Sequence, residues 1–229
     1  KAARALRENV LDVAGVMLQA EPKSLDIRAN MVVDAADGNE RLSLAEIGRV
    51  VYYRADTLPK DFQSELTVTR HHVPKKSPFS FTNGCHADHI EVDVNTGLIQ
   101  VLKYWVVEDC GTVINPMLVD EQIRGGVVQG IGGALYEECL YDERGQYLNA
   151  TMADYLTPMA MEMPDIEVGH VETPTKDSEL GAKGVGEAGT TGAPAAIMNA
   201  INDAIQPFGK HVSDMPFTPE RILKALGKV

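Results

Sequence analysis

Residues 181–192 hold the densest set of groups able to do chemistry. Gly181, Gly184, Gly186, Gly189 and Gly192 punctuate the stretch, Lys183 stands among them, and one carboxylate, Glu187, lies near its centre. Glycines let a backbone turn tightly and approach a ligand closely. Backbone N–H groups ahead of a helix favour an anion, and Lys183 adds a point charge suited to a phosphate or another acidic group. Glu187 runs against that trend. An acid among anion-binding groups repels an anion unless it has its own task, and the simplest task is moving a proton to or from something held beside it. No Gly-Lys-Ser/Thr completes a Walker A loop, and no strand of the usual pattern leads into these glycines as a dinucleotide fingerprint requires. From the residues alone, the stretch is either a ligand-binding loop or a glycine-rich turn into a helix.

The elements that must position this loop follow from periodicity. A helix is expected over 194–205 directly after it, and a closing helix over 218–226. Upstream, 89–94 and 98–108 read as two strands joined at Asn95-Thr96-Gly97, a hairpin. Asn115-Pro116 breaks the chain, and 117–140 reads as a long helix. Its glycines at 125, 126, 130, 132 and 133 each cost about 1 kcal/mol relative to alanine. Either another backbone or a ligand must pack closely there. Residues 166–172 alternate as a strand. In the first part of the chain, 2–19 is amphipathic and helical, and 25–33 with 40–42 reads as a hairpin around Asp37-Gly38-Asn39. Ser43 and Glu46 form a capping box for a helix over 44–52. Residues 54–78 are polar without a period and read as a linker or partner-binding arm. The sum is an α+β fold, mixed or antiparallel sheets with helices packed on them.

Composition narrows the function classes. At 44% hydrophobic and 24% charged residues, a chain of 229 residues can bury a sizeable core. A net charge of −12 argues against nucleic acid and against an anionic membrane surface. No apolar run is long enough to span a membrane. Cys85, Cys110 and Cys139 cannot all pair, and none stands in a Cys-x-x-Cys spacing, which disfavours a protein-held iron–sulfur or zinc site. Arg70-His71-His72 reads as a solvated loop, because adjacent histidines on an extended chain point apart. His86 and Asp88 share one strand face and His89 the other; they read as surface or interface residues. Cys110 reads as a small buried residue, and Tyr104 and Trp105 as core aromatics.

Lys183-Gly184-Val185-Gly186-Glu187, followed by a small-residue helix, resembles the C-terminal signature of the xanthine oxidase family of molybdenum hydroxylases. Four further segments occur in the same order. They are the runs 91–97 and 109–116, the Val128-Gln129-Gly130-Ile131-Gly132 core of the glycine-rich helix, and Met215-Pro216-Phe217-Thr218-Pro219-Glu220-Arg221-Ile222. The Glu187-Ala188-Gly189-Thr190 form most resembles carbon-monoxide-dehydrogenase-like large subunits. The resemblance implies a reaction that inserts water-derived oxygen at an electron-poor carbon of an aldehyde or N-heterocycle, with Glu187 as general base. It implies a molybdopterin cytosine dinucleotide cofactor contacted by Gln129, Gly130, Lys183, Gly184, Val185 and Gly186. Molybdenum would be held by the pterin dithiolene, so no protein metal ligand is expected.

The resemblance also implies 2Fe–2S and FAD groups on partner chains or domains: an iron–sulfur subunit, a flavin subunit and the rest of the molybdenum subunit. A small-molecule substrate and a bacterial cytoplasmic location go with it. With no initiating Met, the chain is expected to be a fragment or processed subunit, the final third of such a large subunit. Residues 1–78 would belong to one molybdopterin-binding subdomain and 79–229 to the subdomain carrying Glu187. The reading from residues alone leaves a non-catalytic phosphate- or nucleotide-binding module, or an assembly subunit, as the alternative.

Overall fold

The computed structural model describes residues 1–73 and 80–229. The chain divides into two compact units, 1–73 and 74–229. The subdomain boundary expected at 78/79 falls on residues outside those described.

In the first unit, α1 (Ala2–Leu18) presents Leu11, Val13 and Ala14 to a small core. It ends where Gln19 turns left-handed at φ 54° and the Ala20 N–H reaches back to the Gly15 carbonyl. Three strands follow, β1 (Leu25–Arg28), β2 (Met31–Asp34) and β3 (Glu40–Ser43), paired antiparallel in the order β1-β2-β3. The single strand expected over 25–33 is thus two. Ala29 and Asn30 both take positive φ, 45° and 66°, and fold the chain back on itself. Two consecutive left-handed residues make the mirror-image turn that suits the twist of a hairpin, and nothing in Ala29 announces it. Ser43 caps α2 (Leu44–Tyr53), its hydroxyl accepting from the Glu46 N–H at 3.1 Å.

The second unit is built on β4 (Asn83–Val92) and β5 (Ile99–Asp109), an antiparallel pair, with β6 (Ile166–His170) parallel to β5 on the far side. The sheet is therefore mixed. Between β5 and β6 runs α3 (Pro116–Leu135), capped by Asn115 and shorter than the 117–140 expected. After β6 come α4 (Ala188–Ile205) and α5 (Pro219–Leu226). α4 begins at Ala188 rather than at Pro194. Proline inside a helix removes one hydrogen bond, and the small residues ahead of it compensate by packing closely. Ile197, Ile201 and Ile205 have no exposed surface and pack with Tyr104, Ile123, Ile131, Phe217 and Ile222. Full burial of each such side chain stabilises by about 1.5–3 kcal/mol.

Gly132 of α3 faces the Glu137 side chain and the Pro158 ring, and the other four glycines of the helix divide into two sets. A Cβ on Gly126 would lie 3.0 Å from the Gly189 Cα, and one on Gly130 would lie 2.6 Å from the Ala193 Cβ. Gly189 is as tight in return: its Cβ would run into the Ile123 carbonyl. Gly125 and Gly133 meet nothing within 4 Å. The first set lets two helix backbones touch, so backbone packing accounts for glycine at 126 and 130.

Candidate functional site

The loop before α4 is fastened to the end of β5. Asp109 accepts from the Gly111 N–H at 2.9 Å and the Thr173 N–H at 3.0 Å, and its other oxygen faces the Lys183 ammonium at 3.0 Å. The hydrogen bonds from Thr173 and Gly111, with the Lys183 ammonium, hold the Asp109 carboxyl well below the usual carboxylate range. The backbone agrees. The Lys183 N–H donates to the Cys110 carbonyl at 2.7 Å, and Thr112 and Thr175 both donate to the Gly181 carbonyl. Gly111, at φ +69°, has no room for a Cβ because the Gly181 carbonyl occupies it. Cys110 is buried as expected, and burial pushes its thiol up.

From this anchor the chain runs along one side of a cavity of about 510 Å³. Gly184, Gly186, Glu187 and Thr191 form that side; Asn83, Gly84 and His86 of β4, with Glu108 of β5, form the other. Gly184 and Gly186 are informative for what does not require them. Neither has a positive φ, and a Cβ on either would meet nothing within 4 Å. Neither backbone conformation nor packing among the described residues calls for glycine there. What their absence of side chains leaves is bare main chain facing the cavity.

Glu187 stands at the N-cap of α4, with φ −112° and ψ 7°. Its carboxylate does not cap the helix, and it makes no hydrogen bond or ion pair with a described residue. A carboxylate at a helix N-terminus ordinarily takes the free N–H groups; this one is left for something else. The carbonyl just before it, on Gly186, accepts from the Gln122 side chain at 2.8 Å, which ties the loop to α3.

The structure thus brings Gly184, Gly186 and Glu187 together at the cavity. The other expected cofactor contacts lie elsewhere. The Lys183 ammonium is engaged by Asp109, and its side chain is 11% exposed. The Val185 side chain packs on the core. Gln129 is exposed on α3, its Oε1 3.4 Å from the Thr190 hydroxyl. Gly130 is buried against α4, where Ala193, Thr190 and Pro194 occupy the space a side chain would need, and it does not line the cavity.

Two groups, Glu108 and Gln122, escaped the sequence reading, and a third, His86, was expected at a surface or interface. His86 is not a surface residue: its side chain is 6% exposed, between Tyr104 and Glu108. Glu108 is buried at 2%. Gln122 had no periodic signal of its own. The same-face relation of His86 and Asp88 was the available clue. Asp88 lies across from Tyr104 in the register, with one buried carboxylate oxygen that has no hydrogen-bond partner among the described residues, and burial raises its carboxyl to about 6. Trp105 is half-exposed under the Lys103 ammonium at 5.1 Å, unlike the buried Tyr104. Among the described residues no group of three or more His, Cys, Asp or Glu could hold a metal ion, and no helix is long and apolar enough to cross a membrane.

The description "molybdopterin cofactor-binding domain" belongs to the family model that matches residues 1–164. This chain is a member of that family. A relative, the nicotine 6-hydroxylase large subunit of Paenarthrobacter nicotinovorans, is 39% identical over 98% of the chain and 27% of its own length. The carbon monoxide dehydrogenase large chain of Hydrogenophaga pseudoflava is 30% identical, again over 98% of the chain and 27% of its own length. Among solved structures, quinoline 2-oxidoreductase from Pseudomonas putida 86 superposes with a TM-score of 0.74 at 38% identity, covering 99% of the chain and 29% of that structure. The chain therefore spans little more than a quarter of the relatives it matches. The resemblance to xanthine oxidase family molybdenum subunits holds at the level of the family, and the molybdopterin cofactor-binding fold is the α+β arrangement described above.

Proposed function

We propose that this chain forms the catalytic-base side of a molybdenum-cofactor site in a hydroxylase acting on an N-heterocycle or aldehyde. The observation that carries the reading is the Glu187 carboxylate at the head of α4, without a partner among the described residues and facing a cavity whose near wall is the bare backbone of Gly184 and Gly186. These residues fit the pterin-bound metal group. Main chain without side chains at Gly184 and Gly186 admits a bulky ligand edge.

When bound, the cofactor supplies two-electron redox chemistry and the oxygen that enters the product. Glu187 accepts a proton at a carboxylate oxygen from the water-derived oxygen as that oxygen turns nucleophilic. The start of α4 and the loop orient the carboxylate, and the β4 wall bounds the substrate. The cytosine dinucleotide form of the cofactor belongs to this proposal, as do iron–sulfur and flavin partners. Names of the relatives support it: one is a hydroxylase large subunit acting on nicotine, and another a carbon monoxide dehydrogenase large chain.

Glu187→Gln tests it in the assembled enzyme. The amide keeps the shape and cannot act as the base, so kcat should fall by about 10²–10⁴, with molybdenum per protein unchanged. Turnover near wild type would remove Glu187 from the mechanism.

A further inference from the structure

Glu108 and His86 face the cavity, and the proton-transfer reading of Glu187 gives them no task. Their side chains are 2% and 6% exposed. The His86 Nε2 lies 3.1 Å from the Glu108 Oε1, and its Nδ1 2.8 Å from the Tyr104 hydroxyl. One arrangement satisfies all three groups: Nε2–H donates to the carboxylate, and the Tyr104 O–H donates to Nδ1. A ring held at both nitrogens has one orientation.

That orientation puts the ring against α4. A Cβ on Gly192 would fall among the Cγ, Cδ2 and Nε2 atoms of the imidazole, so ring and helix backbone touch with nothing between them. The back of the ring is fixed as firmly. A Cβ on Gly84 would overlap the Glu108 carboxylate, so β4 lies directly on it. On α4's other side, Gly189 is closed by the Ile123 carbonyl of α3. The helix that Glu187 heads is thus held between α3 and an imidazole braced on β5. Burying a carboxylate costs free energy unless it is hydrogen-bonded, and an apolar pair would fill the space at lower cost. What the polar pair adds is a ring that cannot turn.

We infer that Glu108 and His86 are positioning residues for Glu187: they prop the first turns of α4 away from β5 and so set where the Glu187 carboxylate stands in the cavity. This rests on the reading of Glu187 as the base.

Two substitutions at Glu108 test it. Glu108→Gln keeps an acceptor for the imidazole N–H; Glu108→Leu removes it at similar volume. In the assembled enzyme, Glu108→Leu should lower kcat by up to roughly 10²-fold, the effect of a base displaced by about 1 Å. KM and molybdenum content should hold. Backbone amide exchange over 188–192, read by mass spectrometry, should rise in the same variant. Glu108→Gln should restore both turnover and protection. Should Glu108→Leu fail to fold, Gly192→Ala pushes on the ring from the helix side and should lower kcat likewise. The inference is overturned if Glu108→Gln is as slow as Glu108→Leu, since charge rather than support would then matter. It is overturned equally if the folded Leu or Gly192→Ala variant keeps wild-type kcat and exchange. Exchange is read independently of turnover. If Glu187→Gln stays active while exchange responds as expected, the assignment of the base has failed and the prop has not.

Discussion

Gly130→Ala and Gly125→Ala place the same methyl group on the same helix and should have opposite consequences. Both gain about 1 kcal/mol of helix propensity, so their difference isolates packing. At 125 the methyl meets nothing within 4 Å. At 130 it would lie 2.6 Å from the Ala193 Cβ, 3.1 Å from the Thr190 carbonyl oxygen and 3.2 Å from the Pro194 ring. Ordinary carbon contacts are about 3.5–4.0 Å. A carbonyl and a proline ring cannot rotate aside, so α3 and α4 must part, at an overpacking cost of about 1–3 kcal/mol. Gly125→Ala should therefore stabilise by up to about 1 kcal/mol. Gly130→Ala should lie about 1–3 kcal/mol below it, a gap of roughly 2–12 °C in Tm for a chain of this size. Urea unfolding followed by the fluorescence of Trp105, the single tryptophan, reports on the unit concerned. Coincident midpoints for the two variants would show that the backbones do not meet at 130 and would refute the argument.

Asp88→Asn should become more stabilising relative to wild type as pH rises from about 4 to 6 and level off above. Burial raises the Asp88 carboxyl to about 6, so the folded state favours its protonated form, a preference present at low pH and lost as pH climbs through 6. A pH series of urea midpoints reads this, and a pH-independent difference would contradict it. Ser43→Ala removes the acceptor for the Glu46 N–H and should cost about 1 kcal/mol, confined to the first unit, in thermal unfolding; no change would mean the cap contributes nothing.

Much of the frame could be read before the structure was in hand. The amphipathic α1, the Ser43 cap and the hairpin around Asn95-Thr96-Gly97 are local effects, and local chemistry dictates them. Glu187 stood out because its glycine surroundings are contiguous in the chain. The pocket's opposite wall did not stand out, for a physical reason. β4 begins at Asn83, not at His89, and its inward-facing positions carry His86 and Asp88 where a core strand would carry valine or isoleucine. Polar residues on the buried side invert the alternation that marks a strand, and the register shift opposite His89 and Ile90 falls on β5, where Leu102 is the extra residue. Glu108 escaped for the same reason, as its partner lies across the register. The glycines of α3 were legible as a cost, but which of them faced a helix and which faced nothing depends on the rotation of α3 against α4.

That α3–α4 seam also decides where this pocket can be remodelled. Residues 126, 130, 189 and 193 are locked in mutual contact, so no larger side chain at those positions can narrow the chamber without dislodging the glutamate that heads α4. The opposite rim, at Ser80, lies ahead of the β4–β5 pairing, which begins at Asn83, and takes no part in that seam. Differences in which molecules related proteins accept should accumulate on that rim, and a redesign of selectivity should begin there.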